Sequence, residues 1–217
     1  MQHSKPSFKS RLPIRASVLL GIGLILYFFL PLFRIVPLKE AREQSAAAAF
    51  DPANFAAEFW NDQLQKGAAE AIDVAELLSI FNQDRNAATE RYGHRLGLSS
   101  NASYFVSGSG RIIRVEKRLI EVAIEGGGVV GIKTGPVFGN AIRDGSGLLD
   151  VSDFPNSRDF NAVSAQINRL VEETVFPGLQ AKAAIGVTLR FVGGVDVADA
   201  ETEISRLNLV PVVIEFP

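Results

Sequence analysis

The chain has 217 residues, 47% of them hydrophobic, a formal net charge of −2 and no cysteine. A core can form without cross-links, whereas disulfides, thiolate zinc sites, thiol nucleophiles and lipid attachment through an N-terminal cysteine are excluded. Lys5, Lys9, Arg11 and Arg15 stand in the first 15 residues without an acid, leaving 18 basic against 24 acidic residues in the remainder, an acidic body that argues against a nucleic-acid partner.

Residues 16–33 carry no charge. At ~1.5 Å per residue they would make about 27 Å of helix, close to the hydrocarbon thickness of a bilayer. Tyr27, Phe28, Phe29 and Phe33 gather at the distal end, where aromatic rings suit the interface. The basic cluster upstream places residues 1–15 in the cytoplasm and everything after the helix on the periplasmic side. A cleaved signal peptide is the rival reading. It would have a shorter apolar core and a small-residue cleavage site, and the alanines at 46–49 lie far downstream. The chain therefore divides into a cytoplasmic tail (1–15), a transmembrane helix (16–33), a connector (34–50), a helical segment (51–100) and a β-rich domain (101–217).

Within the helical segment, Asp51 followed by Pro52 reads as an N-cap with proline at the first helical position. Phe55, Phe59 and Leu64 recur behind it, with Trp60 alongside. Asp73 and Glu76 fit a capping box, and Val74, Leu77, Leu78 and Phe81 supply the stripe. A third short helix is expected over 84–91, stopped by Gly93.

Strand periodicity begins near Ser103. A long strand over 104–116 contains Gly108 and Gly110, which predict a bend. Residues 119–125 alternate cleanly, glycines 126–128 turn the chain into 129–133, and 138–142 reads as another short strand. Helical periodicity returns after Asn156 and Ser157, with Phe160, Val163, Ile167, Leu170, Val171 and Thr174 on one face and Pro177-Gly178 as the stop. Strands near 185–192 and 207–216 follow, and Pro211 suggests an edge position. The fold class is α+β. After residue 100 the order of three strands, a helix and two strands is that of an OB-like β-barrel.

Residues 126–131 satisfy G-x-G-x-x-G literally, but a strand follows where a dinucleotide fold needs a helix, so a hairpin turn is the reading. His94, between Arg91 and Arg95, reads as a turn residue, because neighbouring cations repel a metal and one histidine makes no zinc site alone. No cofactor and no metal are expected. Two segments stand out. In 135–144, two glycines and a proline fix the backbone around Asn140, Arg143 and Asp144. These residues would either offer amides and a guanidinium to a sugar or carboxylate or pin a corner of the fold. In 153–168, Asp153, Asn156 and Ser157 read as turn and cap residues, while Asn161 and Asn168 share a helix face. The candidate ligand- or partner-binding residues are Asn140, Arg143, Asp144, Asp153 and Asn156.

On FDP at 50–52, RYGHR at 91–95, GPV…AIRD at 135–144 and DFPN…IN at 153–168, the chain resembles a bacterial family of predicted periplasmic lipoproteins, domain of unknown function 2291. Gly135, Pro136, Arg143, Asp144, Asp153, Phe154 and Asn156 match its pattern. The resemblance implies a helical N-terminal part followed by an OB-like barrel. It also implies an accessory role in carbohydrate import, because genes of the family often lie beside those of sugar-uptake ABC transporters. It carries no catalytic residue. The chain departs from the family in lacking the lipid-bearing cysteine: either the hydrophobic helix replaces the lipid, or the lipoprotein label does not fit this branch.

The expected protein is thus a single-pass inner-membrane protein whose periplasmic domain is a non-enzymatic accessory module. It would bind an ABC-transporter subunit, a solute-binding protein or a carbohydrate. A hydrolase acting on envelope glycans would need two carboxylates flanking a bond, with Asp144 and Asp153 the pair to back, unless one of them is buried in an arginine pair. A purely structural docking module, using the helices after residue 51, is the third expectation.

Overall fold

The computed structural model describes residues 50–97, 101–198 and 206–217. The expected tail, membrane helix and almost all of the connector lie outside them. Among the described residues no helix is long and apolar enough to cross a membrane.

Helix α1 (Pro52–Phe59) starts where Asp51 Oδ1 accepts the amides of Ala53 and Asn54 at 2.9 and 3.1 Å. It continues through a π turn (Trp60–Leu64) into Gln65–Gly67. Ala56, Phe59, Trp60 and Leu64 form its buried stripe. A two-residue strand β1 (Ile72–Asp73) leads into helix α2 (Val74–Gln83), capped by Asp73 through the amides of Ala75 and Glu76. The expected capping box is half made, because the Glu76 carboxylate accepts from the Tyr92 hydroxyl at 3.3 Å. Helix α3 (Arg85–Tyr92) is capped by Asp84 and ends at Gly93, as its sequence indicates.

Strand β2 (Asn101–Val115) is long enough to serve two partners. Its first part pairs with β5 (Thr188–Ala198) and its last part with β3 (Leu119–Ile124), both antiparallel. Gly110 stands at the handover. A Cβ there would strike the Ala123 carbonyl and come within 2.7 Å of Val122 Cγ1. Glycines 126–128 all have positive φ, so the turn from β3 into β4 (Val129–Lys133) is one that only glycine enters without strain. Strand β6 (Leu207–Glu215) runs parallel to β4 and antiparallel to β5. The pairings run β2-β3-β4-β6-β5 and return to β2, the closed circuit of an OB-type arrangement. Pro211, which lacks an amide hydrogen, sits beside a bulge in the β5–β6 pairing and just beyond Leu209, where the pairing with β4 ends. It is an edge residue in the sense that matters locally, although β6 lies between two strands.

The sequence reading is corrected at two places. The segment expected as a strand over 138–142 instead enters helix α4 (Ala141–Ser146). Ala141 and Ile142 supply its buried face, whereas Phe138 precedes the helix and is 80% exposed. Pro177-Gly178 does not stop the following helix. Helix α5 (Ser157–Leu170) passes through a second π turn (Val171–Val175) into α6 (Phe176–Lys182), with Pro177 in the first turn of α6. The change of register lets the missing amide fall where no helical partner is needed.

The buried residues form two clusters. One joins the strand faces (Tyr104, Val106, Ile112, Ile120, Val122, Val130, Phe191 and Leu209) to Val74, Leu77 and Phe81 of α2. The other joins Phe59 and Leu64 to Phe160, Val163 and Ile167 of α5, to Val171 of the π turn after it, and to Ile142 and Val210. FDP and DFPN meet in this second cluster: Phe154 lies edge-on to Phe50 and Phe55, at centroid distances of 5.5 and 5.2 Å, and tilted against Phe160 at 5.1 Å.

Candidate functional site

Arg143 anchors the region that the sequence singles out. Its guanidinium lies 3.6 Å from the centroid of the Phe160 ring. Nε donates to Asp144 Oδ1 at 2.7 Å, and Nη1 donates to the Phe160 carbonyl and to Asn161 Oδ1, both at 3.1 Å. Only 1% of Arg143 is exposed, and Nη2 has no partner among the described residues. A side chain enclosed in this way pins α4 to α5. Asn168 adds a second tie, donating from Nδ2 to the Gly139 carbonyl at 2.9 Å. Asn161 and Asn168, seven residues apart, therefore both fasten the 135–144 segment to α5.

Asn156 is an N-cap. Its Oδ1 accepts the Asp159 amide at 2.9 Å and its Nδ2 donates to Asp159 Oδ2 at 2.8 Å. Its replacement by alanine is expected to lower stability by about 0.5–2 kcal/mol, the usual loss of a cap. Urea unfolding checks the stability; partner capture by the folded variant should stay unchanged. Asn140 is half-buried at the start of α4, where its carbonyl accepts the Asp144 amide at 2.8 Å and its side chain makes no cap.

The remaining two candidates, Asp144 and Asp153, line one groove. Helix α4 ends at Gly147, whose φ of +64° is left-handed. The His94 ring lies so close that a Cβ at 147 would approach its Nε2 to 2.7 Å. The backbone of His94 is fixed by a two-way exchange with Ser103, at 2.8 and 2.9 Å. Between the segment after α3 and the segment after α4 lies a groove of about 350 Å³, lined by His94, Arg95, Leu96, Asp144, Leu148 and Asp153, among others. A second hollow of about 310 Å³ also touches His94, Gly147 and Leu148, and reaches Arg91, Tyr92 and Phe105. Leu96 and Leu148 remain 42% and 41% exposed, so the polar lining carries an apolar rim.

The acids in this groove are engaged. Asp144 is held by Arg143 with 14% of its side chain exposed, the condition under which the paired-carboxylate expectation fails. Asp153 Oδ2 accepts the Asp150 amide at 3.3 Å. Asp150 accepts the hydroxyl and the amide of Ser152 at 2.6 and 2.8 Å, which holds its carboxyl below the usual carboxylate range, the hydroxyl contributing most. Among the described residues no group of three or more histidine, aspartate or glutamate side chains is placed to hold a metal.

Sequence reading located Asp144 and Asp153 but missed His94, Leu96 and Leu148 as their neighbours. The RYGHR segment was the available signal. Nothing local in the sequence reveals that residues 94 and 147, more than fifty positions apart, would touch.

Comparison with known proteins agrees with this architecture. A crystal structure of an OB-fold protein from Thermotoga maritima matches with a TM-score of 0.69 at 23% identity, over 78% of this chain and 99% of that one; at this identity it establishes the fold. No curated protein matches the chain. The family model described as predicted periplasmic lipoprotein (DUF2291) matches residues 23–215. The four motif segments on which the groove and its supports are built all fall within that match, and the chain belongs to this family of predicted periplasmic lipoproteins.

Proposed function

We propose that the protein is a non-enzymatic accessory component of carbohydrate uptake, held at the periplasmic face of the inner membrane by the single helix at 16–33. Its groove at His94 contacts a subunit of an ABC transporter or its solute-binding protein. One observation carries this reading: segments far apart in sequence, 91–97 and 144–153, converge on a groove whose polar lining is rimmed by exposed leucines. Contiguous apolar surface bordered by charge is characteristic of protein contacts. The engagement of Asp144 by Arg143 favours recognition over hydrolysis. The chain has no cysteine to carry a lipid, which supports the uncharged helix as its anchor. The acidic body and the family's association with sugar-uptake genes point to transport rather than nucleic acid. A carbohydrate held directly in the groove is the second reading, favoured by the adjacent Tyr92 and Phe105 rings and by the carboxylates.

The test is co-purification of the full-length protein from its own membranes, beside the variants Leu148→Glu and Arg95→Glu. Both positions are exposed, so thermal stability should hold. The expected result is capture of a transporter or solute-binding subunit by the parent chain, with capture falling about tenfold or more in Leu148→Glu, as for a residue at the centre of a contact. Undiminished capture by both variants would remove the groove from the interface.

A further inference from the structure

The two π turns open onto the same cleft. A π turn inserts one residue into a helix at an energetic cost, and such turns are frequent at functional sites. Trp60 begins the first turn, and Thr174 and Val175 close the second. All three line a cleft of about 350 Å³, whose other walls include Lys182 of α6 and Ile214 and Phe216 at the end of the chain. Pro177 helps to explain why the helix changes register at 171–175, but no proline accompanies the turn at 60–64. The cleft shares no lining residue with the groove at His94.

Its chemistry is one-sided. Trp60 is 7% exposed, and its indole N–H donates to no other described residue. Among the described residues the buried side-chain atoms left without a partner are Arg143 Nη2 and Ser164 Oγ, so the indole nitrogen is accessible and open to an acceptor from outside the fold. The Lys182 ammonium lies 5.6 Å from the centroid of the Phe216 ring and has no carboxylate partner among the described residues. No acidic residue lines the cleft, while Gln65 adds a further amide. Donors and a cation without a balancing acid select an anion. The Trp60 and Phe216 rings, with Val175, Leu179 and Ile214, select an apolar body or the apolar face of a sugar ring.

We propose that this cleft binds a small organic carboxylate, its body against Trp60 and Phe216 and its charge toward Lys182 and the indole N–H. Trp60 is the only tryptophan in the chain, so its emission reports the cleft directly. The experiment titrates the full-length protein in lipid nanodiscs with phenylacetate and with glucuronate. Phenylacetamide and glucose serve as their uncharged counterparts.

A saturable change in emission with at least one carboxylate, weakened about tenfold or more in Lys182→Gln by loss of a charge-assisted hydrogen bond, supports the proposal. Whether phenylacetate or glucuronate binds more tightly then tells whether an apolar acid or a sugar acid is the ligand class. Lys182 is exposed, so the variant should fold. Three results would overturn the proposal: no saturable change with either carboxylate up to about 10 mM, where affinity is negligible; equal responses to the neutral counterparts; or unaltered binding in Lys182→Gln.

Discussion

Replacing Arg143 with methionine is expected to destabilise the protein by about 3–5 kcal/mol, the range seen when one member of a buried ion pair is removed. The change leaves the Asp144 carboxylate, the Phe160 carbonyl and Asn161 Oδ1 without the donor that each now uses, and the half-buried Asp144 charge and the buried Phe160 carbonyl bear most of the resulting desolvation cost. It also removes the plane stacked on Phe160, a contact worth more when desolvated. Lysine should not rescue the loss, because one ammonium cannot reproduce the guanidinium fork or its stacking. Combining Arg143→Met with Asp144→Asn should recover part of the stability, since the stranded charge is gone. Urea unfolding measures all four proteins, with a shifted midpoint at constant slope reporting stability alone. A fully stable Arg143→Met protein that no longer captures its partner would return Arg143 to the ligand-contact role that its burial argues against.

Gly194→Ala is expected to cost about 1–3 kcal/mol or more, as for overpacking against a rigid neighbour. A Cβ on Gly194 would strike the Ala141 carbonyl and lie 2.6 Å from the Ile142 amide nitrogen. These are backbone atoms of α4, so no side chain can swing aside. The same helix is equally tight on β2, where a Cβ on Gly145 would come within 2.6 Å of the Tyr104 carbonyl oxygen. Helix α4 is therefore seated against β5 and β2 at two glycines, and it carries Asp144 and positions Leu148. Beyond lost stability, Gly194→Ala should reduce partner capture measured under conditions where the variant remains folded. Gly178→Ala is the control. A Cβ there meets nothing within 4 Å, and alanine in a helix should stabilise slightly. Equal thermal midpoints for Gly194→Ala and the parent would mean that α4 can slide, and the rigid placement of the groove would be lost.

How far the sequence revealed this arrangement depends on the range of the interactions involved. The caps at Asp51, Asp73 and Asn156 are contacts over two or three residues, and each was legible as a side chain before a helical stripe. The hairpin at 126–128 was equally local, because consecutive glycines have few other uses between strands. The order of strands could be read because β3 alternates cleanly and glycines mark the bend in β2 and the turn into β4. What failed was the state of short or interrupted elements. Ala141–Ser146 is too short for helical periodicity to outweigh strand-like alternation, and it is a helix because Arg143 and two glycine contacts hold it. Pro177 looks like a stop until the π turn before it changes the register. At the groove, Asp144 and Asp153 were noticed for their unusual neighbours, and Arg143, noticed for the same reason, holds Asp144. His94 and Leu148 acquire significance only from a contact across the fold, which no local pattern encodes.

The measurement that bears most directly on the account is photo-crosslinking in native membranes, with a photoreactive amino acid at position 148 of the full-length protein. Leu148 is exposed on the rim of the groove, whereas Ile185, 72% exposed and absent from the groove lining, provides the comparison site. The account predicts that position 148 crosslinks to an ABC-transporter subunit or a solute-binding protein and that position 185 does not. A crosslink to such a subunit from position 185 with none from 148, or no protein crosslink from either, would contradict a recognition site at His94.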